Sequence, residues 1–102
     1  MYKLNITLLA DDDLEKIIEY ISVDLANPSA ATEFLTEVIK CYEYLKTNPY
    51  IYAVADDRRL AKEGYRKALI KNYILVFKVD EESKTTTVFR FFYAARDYYK
   101  FI

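Results

Sequence analysis

Apolar and polar positions along this chain change period twice, and the changes divide it into a short strand, a helical middle and a β-rich end. Tyr2–Leu9 alternates Leu4, Ile6 and Leu8 with Lys3, Asn5 and Thr7, a period of two that predicts a strand. From Leu14 the spacing becomes helical: Leu14, Ile17, Ile18, Ile21 and Leu25 form one stripe, predicting a helix to about Ala26. Asp11 or Asp12 is expected to cap it, with Glu15 completing a variant capping box. Asn27-Pro28 should end this helix and start another, because Asn caps well and Pro fits a first turn. The second helix should run from Pro28 or Ser29 to about Thr47, with Ala31, Phe34, Leu35, Val38, Tyr42 and Leu45 on its apolar face. The short connection makes the two an antiparallel hairpin.

Asn48-Pro49 stops the second helix, since a residue before Pro avoids the helical region. Tyr50–Asp57 reads as a loop anchored by Ile51, Tyr52 and Val54. A short helical turn over residues 57–64 should then end at Gly64, the one glycine of the chain. Tyr65–Lys71 predicts a strand with Lys67, Leu69 and Lys71 on one side and Arg66, Ala68 and Ile70 on the other. Asn72 is a turn residue. Tyr73–Val79 is almost continuously apolar, as in a central strand covered on both faces. Asp80–Ser83 makes the next turn, Thr85–Tyr93 returns as a strand rich in β-branched and aromatic residues, and the apolar end of Ala94–Ile102 should pack back. The expected fold is α+β: an N-terminal strand, an antiparallel helical hairpin, and a mainly antiparallel C-terminal sheet. One domain over residues 1–102 is expected.

Charge changes this picture. The 102 residues sum to −1, but residues 1–57 hold 4 Lys/Arg against 11 Asp/Glu, a net of −7, whereas residues 58–102 are at +6. Either the two halves pair with each other, or the basic half faces an anionic partner. There is no His, so His triads, His metal ligands and the usual general acid/base are excluded. The single Cys41 falls on a helical pattern and is expected to be a small buried apolar side chain. The run Asp11-Asp12-Asp13 suits a helix N-terminus better than a metal site, for it lacks a glycine turn and a spaced downstream Glu. No cofactor or metal is expected. No signal-peptide pattern or run of about 18 apolar residues is present, so no membrane association and a cytoplasmic location are expected.

Any catalysis must therefore draw on Lys, Arg, Tyr and carboxylates, a set best suited to a phosphodiester. RNA brings its own nucleophile in the 2′-hydroxyl, so Arg could stabilise the charged transition state and Tyr or Lys move the proton. Interleaved Tyr and Arg could also stack on unpaired bases. The candidates are Arg66, Arg90, Arg96 and Tyr98 for catalysis, and Lys67, Lys71, Tyr93 and Tyr99 for contact with nucleic acid or another target. For most of them a solvated charge or a packed ring is the competing explanation.

Asp24-Leu-Ala-Asn-Pro28 between the helices, Gly64-Tyr-Arg66, Asn72-Tyr-Ile-Leu-Val-Phe77 and Ala95-Arg-Asp-Tyr98, in that order, resemble the RelE/ParE superfamily of toxins. The resemblance spans nearly the whole chain. It implies the toxin of a type II toxin–antitoxin system, held inactive by a cognate antitoxin that wraps its sheet and helices. One branch, RelE-like, cleaves mRNA in the ribosomal A site without a metal, using basic residues on the sheet and a late Tyr. The other, ParE-like, poisons DNA gyrase. By position, Arg66 matches the basic residue that opens the second strand, Arg96 the Arg after the last strand, and Tyr98 or Tyr99 the late Tyr. The nuclease pattern is broken at Ala68 and Ile74, where that branch carries cations. A ParE-like action on gyrase is the leading expectation. The alternatives are a RelE-like endoribonuclease with a reduced set, and a decayed toxin that only binds its antitoxin.

Overall fold

A computed structural model describes all residues, 1–102. Strand β1 (Lys3–Ile6) leads into helix α1 (Leu8–Glu19), which continues through a π-helical turn (Tyr20–Asp24). Helix α2 (Pro28–Thr47) returns, and a 3₁₀ turn (Pro49–Ile51) and the short helix α3 (Arg58–Lys62) lead to the strands β2 (Arg66–Ile70), β3 (Tyr73–Asp80) and β4 (Thr85–Tyr93). A 3₁₀ turn at Tyr98–Phe101 closes the chain. The sheet order is β1-β4-β3-β2, with β1 parallel to β4 and the other pairs antiparallel. This is the expected α+β arrangement. No helix is long and apolar enough to cross a membrane.

Period-two alternation lets the sheet build a core on each face. Ala68, Ile70, Leu75, Phe77, Val88 and Phe91 meet Ile17, Ile21, Phe34, Val38, Cys41 and Leu45 from the helical hairpin. Ile74, Val76 and Phe92 point the other way and are covered by Ala55, by Leu60 of α3 and by Tyr98 of the tail. β3 serves both cores, which is why its sequence is apolar without alternation. The tail packs back as expected: the Tyr98 ring stacks on Phe92 at 5.8 Å.

Several local readings change. β1 stops at Ile6, because the Thr7 side chain caps α1 by accepting from Ala10 N–H at 3.1 Å, and Leu8 is helical and exposed. Thr7 replaces the expected Asp cap. The carboxylates disperse instead, Asp12 to Lys16 at 2.8 Å and Asp13 to Arg90. The π-helical turn inserts extra backbone after Glu19, so Leu25 leaves the apolar stripe and is exposed. Asn27 caps α2 as read, its Oδ1 accepting from Ala30 N–H at 3.1 Å. Asp57 caps α3, and Gly64 ends that turn at φ +91°. In the loop before α3 the buried anchors are Pro49 and Ala55, whereas Ile51 and Val54 are exposed. With a single glycine, three more left-handed positions fall on Ala26, Lys71 and Lys84, at some conformational cost.

Candidate functional site

The candidate side chains are distributed by strand parity and by one bulge. Arg66 pairs with Phe77 and lies on the helix side of β2, where its Nη1 donates to Tyr52 O at 2.7 Å and its guanidinium sits 4.9 Å from the Tyr50 ring centre. Tyr50 belongs to a cluster at this end of the sheet. The hydroxyls of Tyr2 and Tyr50 both donate to Glu81 Oε2, and Lys84 pairs with Glu81 Oε1. These three donors hold the Glu81 carboxyl down at about 2, with the Lys84 bond the largest cause. Its own hydrogen bond to Glu81 pushes the Tyr50 hydroxyl up to about 12. The cluster ties the N-terminus and the Pro49 turn to the β3–β4 hairpin. Sequence reading missed it, because Tyr2, Tyr50 and Glu81 share no local pattern.

On the opposite face of the sheet lie Lys67, Lys78 and Arg90 with Tyr65 and Phe89. Phe89 is the extra residue of the bulge, since Val76 pairs with Arg90 and Phe77 with Val88. Its ring meets Tyr65 edge-on at 5.4 Å, and Lys78 Nζ stands 4.3 Å from the Tyr65 centre. The other two cations of this face are engaged. Lys67 is paired with Asp56. Arg90 makes a two-pronged bond to Asp13, Nε to Oδ2 at 2.7 Å and Nη2 to Oδ1 at 3.0 Å, and Asp13 Oδ2 also accepts from Phe91 N–H at 3.0 Å. Asp13 thus closes the edge of β4 beyond the end of β1 and locks α1 to it. The hydrogen bond to Asp13 raises the Arg90 pKa further.

The late tyrosines, Tyr98 expected to act in catalysis and Tyr99 in target contact, are placed differently. Tyr98 is 7% exposed, its hydroxyl is buried without a hydrogen-bond partner, and desolvation raises its pKa. Its ring fills a core. Tyr99 is at the surface, and Arg96 lies over Phe101 at 4.0 Å, exposed. Arg59 of α3 holds this tail by donating to Tyr99 O at 2.9 Å and Ile102 O at 2.8 Å. Cys41 is buried as expected, and burial pushes its thiol up to about 11, away from nucleophilic use.

Lys71 and Tyr93 are brought together elsewhere, at the far end of the sheet. They flank an open cleft of about 720 Å³ between the tip of the helical hairpin and the β2–β3 turn, floored by Tyr20, Ile21, Phe34 and Tyr73. Edge-to-face contacts of Tyr73 with Phe34 at 5.2 Å and with Tyr93 at 5.7 Å hold that floor. Leu25, turned outward by the π-helical turn, forms its lip. The sequence offered no sign of this cleft, since a helical period cannot show where a π-turn breaks it.

The eight candidates therefore occupy three places, not one: Arg66 in the tyrosine–Glu81 cluster, Lys67, Arg90, Arg96, Tyr98 and Tyr99 around the outer face and tail, and Lys71 with Tyr93 at the cleft. Ala68 and Ile74, where the nuclease pattern has cations, are buried in the two opposite cores.

Comparison with known proteins supplies the remaining evidence. Residues 4–98 match the family of ParE toxins of type II toxin–antitoxin (parDE) systems. No curated protein sequence matches. Among solved structures, a chain of the chromosomal ParDE system of P. aeruginosa is similar with a TM-score of 0.69 at 20% identity, covering 91% of this chain and 96% of that one. A chain of the toxin–antitoxin complex RelBE2 from Mycobacterium tuberculosis gives 0.60 at 17%, covering 90% and 96%. The isolated E. coli RelE toxin gives 0.57 at 18%, covering 98% and 93%. At these identities the structures establish the shared fold.

Proposed function

The chain belongs to the family of ParE toxins of type II toxin–antitoxin systems, and from that premise we propose that it arrests growth by binding DNA gyrase. A cognate antitoxin restrains it, and the domain of residues 1–102 acts in the cytoplasm. The observation that carries the choice of target is the state of its cations. Arg66, Lys67 and Arg90, three of the four cations expected to act from the sheet, are each committed to a partner within the chain. A metal-independent ribonuclease needs unpaired cations and a proton carrier converging on one phosphate. Here Tyr98 is buried, and the positions of two further cations are apolar core. Each missing donor to a developing oxyanion costs on the order of 2–4 kcal/mol of transition-state stabilisation. Binding without chemistry makes no such demand.

The open surfaces suit that role. The 720 Å³ cleft has an apolar floor and an aromatic rim, which fits a helix laid in a groove by the antitoxin. Arg96, Lys71, Tyr93 and Tyr99 are exposed and free to meet a target. Purified protein incubated with gyrase, ATP and supercoiled plasmid tests the proposal. Accumulated cleavage complexes, abolished by the antitoxin, are expected. Unchanged gyrase activity with a preparation that still arrests growth would refute it. The second reading, ribosome-dependent mRNA cleavage, keeps one observation in its favour: Lys78, Tyr65 and Phe89 form an open cation–aromatic surface on the outer face.

A further inference from the structure

β1 ends the sheet on the side of β4 and is bonded to β4 alone. Lys3 N–H donates to Lys84 O at 2.8 Å and Thr7 N–H to Val88 O at 3.1 Å. Main-chain groups alternate in direction along a strand, so Lys3, Asn5 and Thr7 face β4, while Leu4 and Ile6 turn their N–H and C=O outward. No other segment of the chain bonds to them. The open stretch is bounded at both ends. Tyr2 N–H, which also points outward, is taken by Lys46 O at 2.7 Å, so the last turn of α2 closes the edge before Leu4. After Ile6 the chain turns into α1, where Leu8 and Leu9 are 87% and 58% exposed. A single exposed leucine is ordinary, but two in succession beside an unpaired edge mark a surface that gains by being covered.

This edge is complementary to itself. A two-fold axis at Asn5 sets Leu4 of one copy opposite Ile6 of the other, and each such pair exchanges both of its main-chain bonds. Every open donor and acceptor is then used. An axis at Leu4 would bring Ile6 against Tyr2, whose N–H is already committed, and an axis at Ile6 would bring Leu4 against the helical Leu8. One register is left. It carries Tyr2 of one copy to Leu8 of the other, ring against exposed leucine. It also sets Lys3 opposite Thr7, the cap of α1, one turn before Asp11. Neither Lys3 nor Asp11 is in an ion pair within the chain, so a free cation is directed to a free carboxylate.

We propose that the chain pairs with a second copy of itself through β1, joining two four-stranded sheets into one of eight strands about a two-fold axis at Asn5. A foreign strand of ordinary length finds only two open residues between Lys46 and α1, whereas a second copy brings an edge of the same length, bounded in the same way. The contact is small, and its dissociation constant should be about 10–100 µM. The proposal is independent of the choice of target. The cleft at the β2–β3 turn lies at the far side of the sheet from β1, so the pair presents it twice and can engage a two-fold symmetric target at both copies.

Sedimentation equilibrium of the full chain across that range, with residue-resolved amide exchange on the same samples, tests the pairing. A monomer–dimer equilibrium is expected, and the Leu4 and Ile6 amides should exchange about tenfold more slowly where the dimer dominates. Asn5 is exposed and meets itself at the axis, so Asn5→Lys and Asn5→Asp should each leave the fold intact and weaken the dimer about fivefold, by setting like charges opposite each other. Mixed in equal amounts, the two variants should associate about as well as the wild type or better. That rescue identifies the axis. A chain that stays monomeric at every concentration would overturn the proposal. So would a dimer in which Leu4 and Ile6 exchange as fast as in the monomer, or one that neither Asn5 variant weakens. Protection of Leu4 and Ile6 that appears only when the protein encoded by the neighbouring reading frame is added would assign the edge to that partner and likewise overturn it.

Discussion

Replacing Arg90 separates a structural cation from a catalytic one. Its guanidinium and the Asp13 carboxylate are 25% and 13% exposed, and two charge-assisted bonds at 2.7 and 3.0 Å join them across 77 residues of sequence. Bonds to charged groups contribute about 1.5–3 kcal/mol each when well shielded. Breaking a fully buried pair costs about 3–5 kcal/mol, whereas exposed pairs contribute under about 1. At this partial burial Arg90→Ala should cost about 2 kcal/mol. Asp13→Ala should cost about 3 kcal/mol, because Phe91 N–H also loses its acceptor. The double variant should be no less stable than Asp13→Ala, giving a coupling of about 2 kcal/mol. Urea unfolding followed by tyrosine fluorescence measures this, and for a chain of this size Arg90→Ala should lower the Tm by about 10 °C. Growth arrest on expression should weaken in parallel for the Arg90 and Asp13 variants, since both act through the α1–β4 junction. The reasoning fails if Arg90→Ala leaves stability within about 0.5 kcal/mol of wild type and abolishes arrest, while Asp13→Ala still arrests growth.

Three further outcomes follow from the same geometry. Tyr98→Phe removes a buried hydroxyl that has no partner, so stability should hold or rise slightly and growth arrest should persist; loss of arrest at unchanged Tm would make that hydroxyl functional. Ile74→Arg, which restores the cation of the nuclease pattern, buries an unpaired charge at a position 6% exposed and should cost several kcal/mol; a folded and more active variant would contradict the assignment of that position to the core. Glu81 has a depressed pKa, so its contribution is complete above the ordinary carboxylate range and is lost as pH falls from about 4.5 towards about 2. Glu81→Gln should lose stability at neutral pH and show a flatter acid limb in thermal melts, and an unchanged acid limb would remove Glu81 from the linkage.

The fold was legible where one residue type decides one element. Asn27-Pro28 and Asn48-Pro49 bound α2 because Asn caps and Pro lacks an N–H, and β3 announced its central place because both its faces needed apolar side chains. The misplacements arose where side chains compete. Thr7 took the cap that Asp11 or Asp12 promised, since Asp12 and Asp13 found cations at the surface and at the β4 edge. Leu25 fitted a period of 3.6 until the π-helical turn broke it. The candidate site was less legible for a physical reason. Sequence shows that Arg66, Lys67 and Arg90 are basic, but their partners Tyr50, Tyr52, Asp56 and Asp13 are brought to them only by the tertiary fold.

The choice between two targets is tested most directly in one culture. The chain is expressed without its antitoxin, and mRNA 5′ ends and gyrase-linked DNA breaks are mapped from the same cells as growth stops. The arrangement of cations described above predicts gyrase-linked breaks with an unchanged pattern of mRNA ends. New mRNA ends at the ribosomal A site without DNA breaks, disappearing in Arg96→Ala, would contradict it.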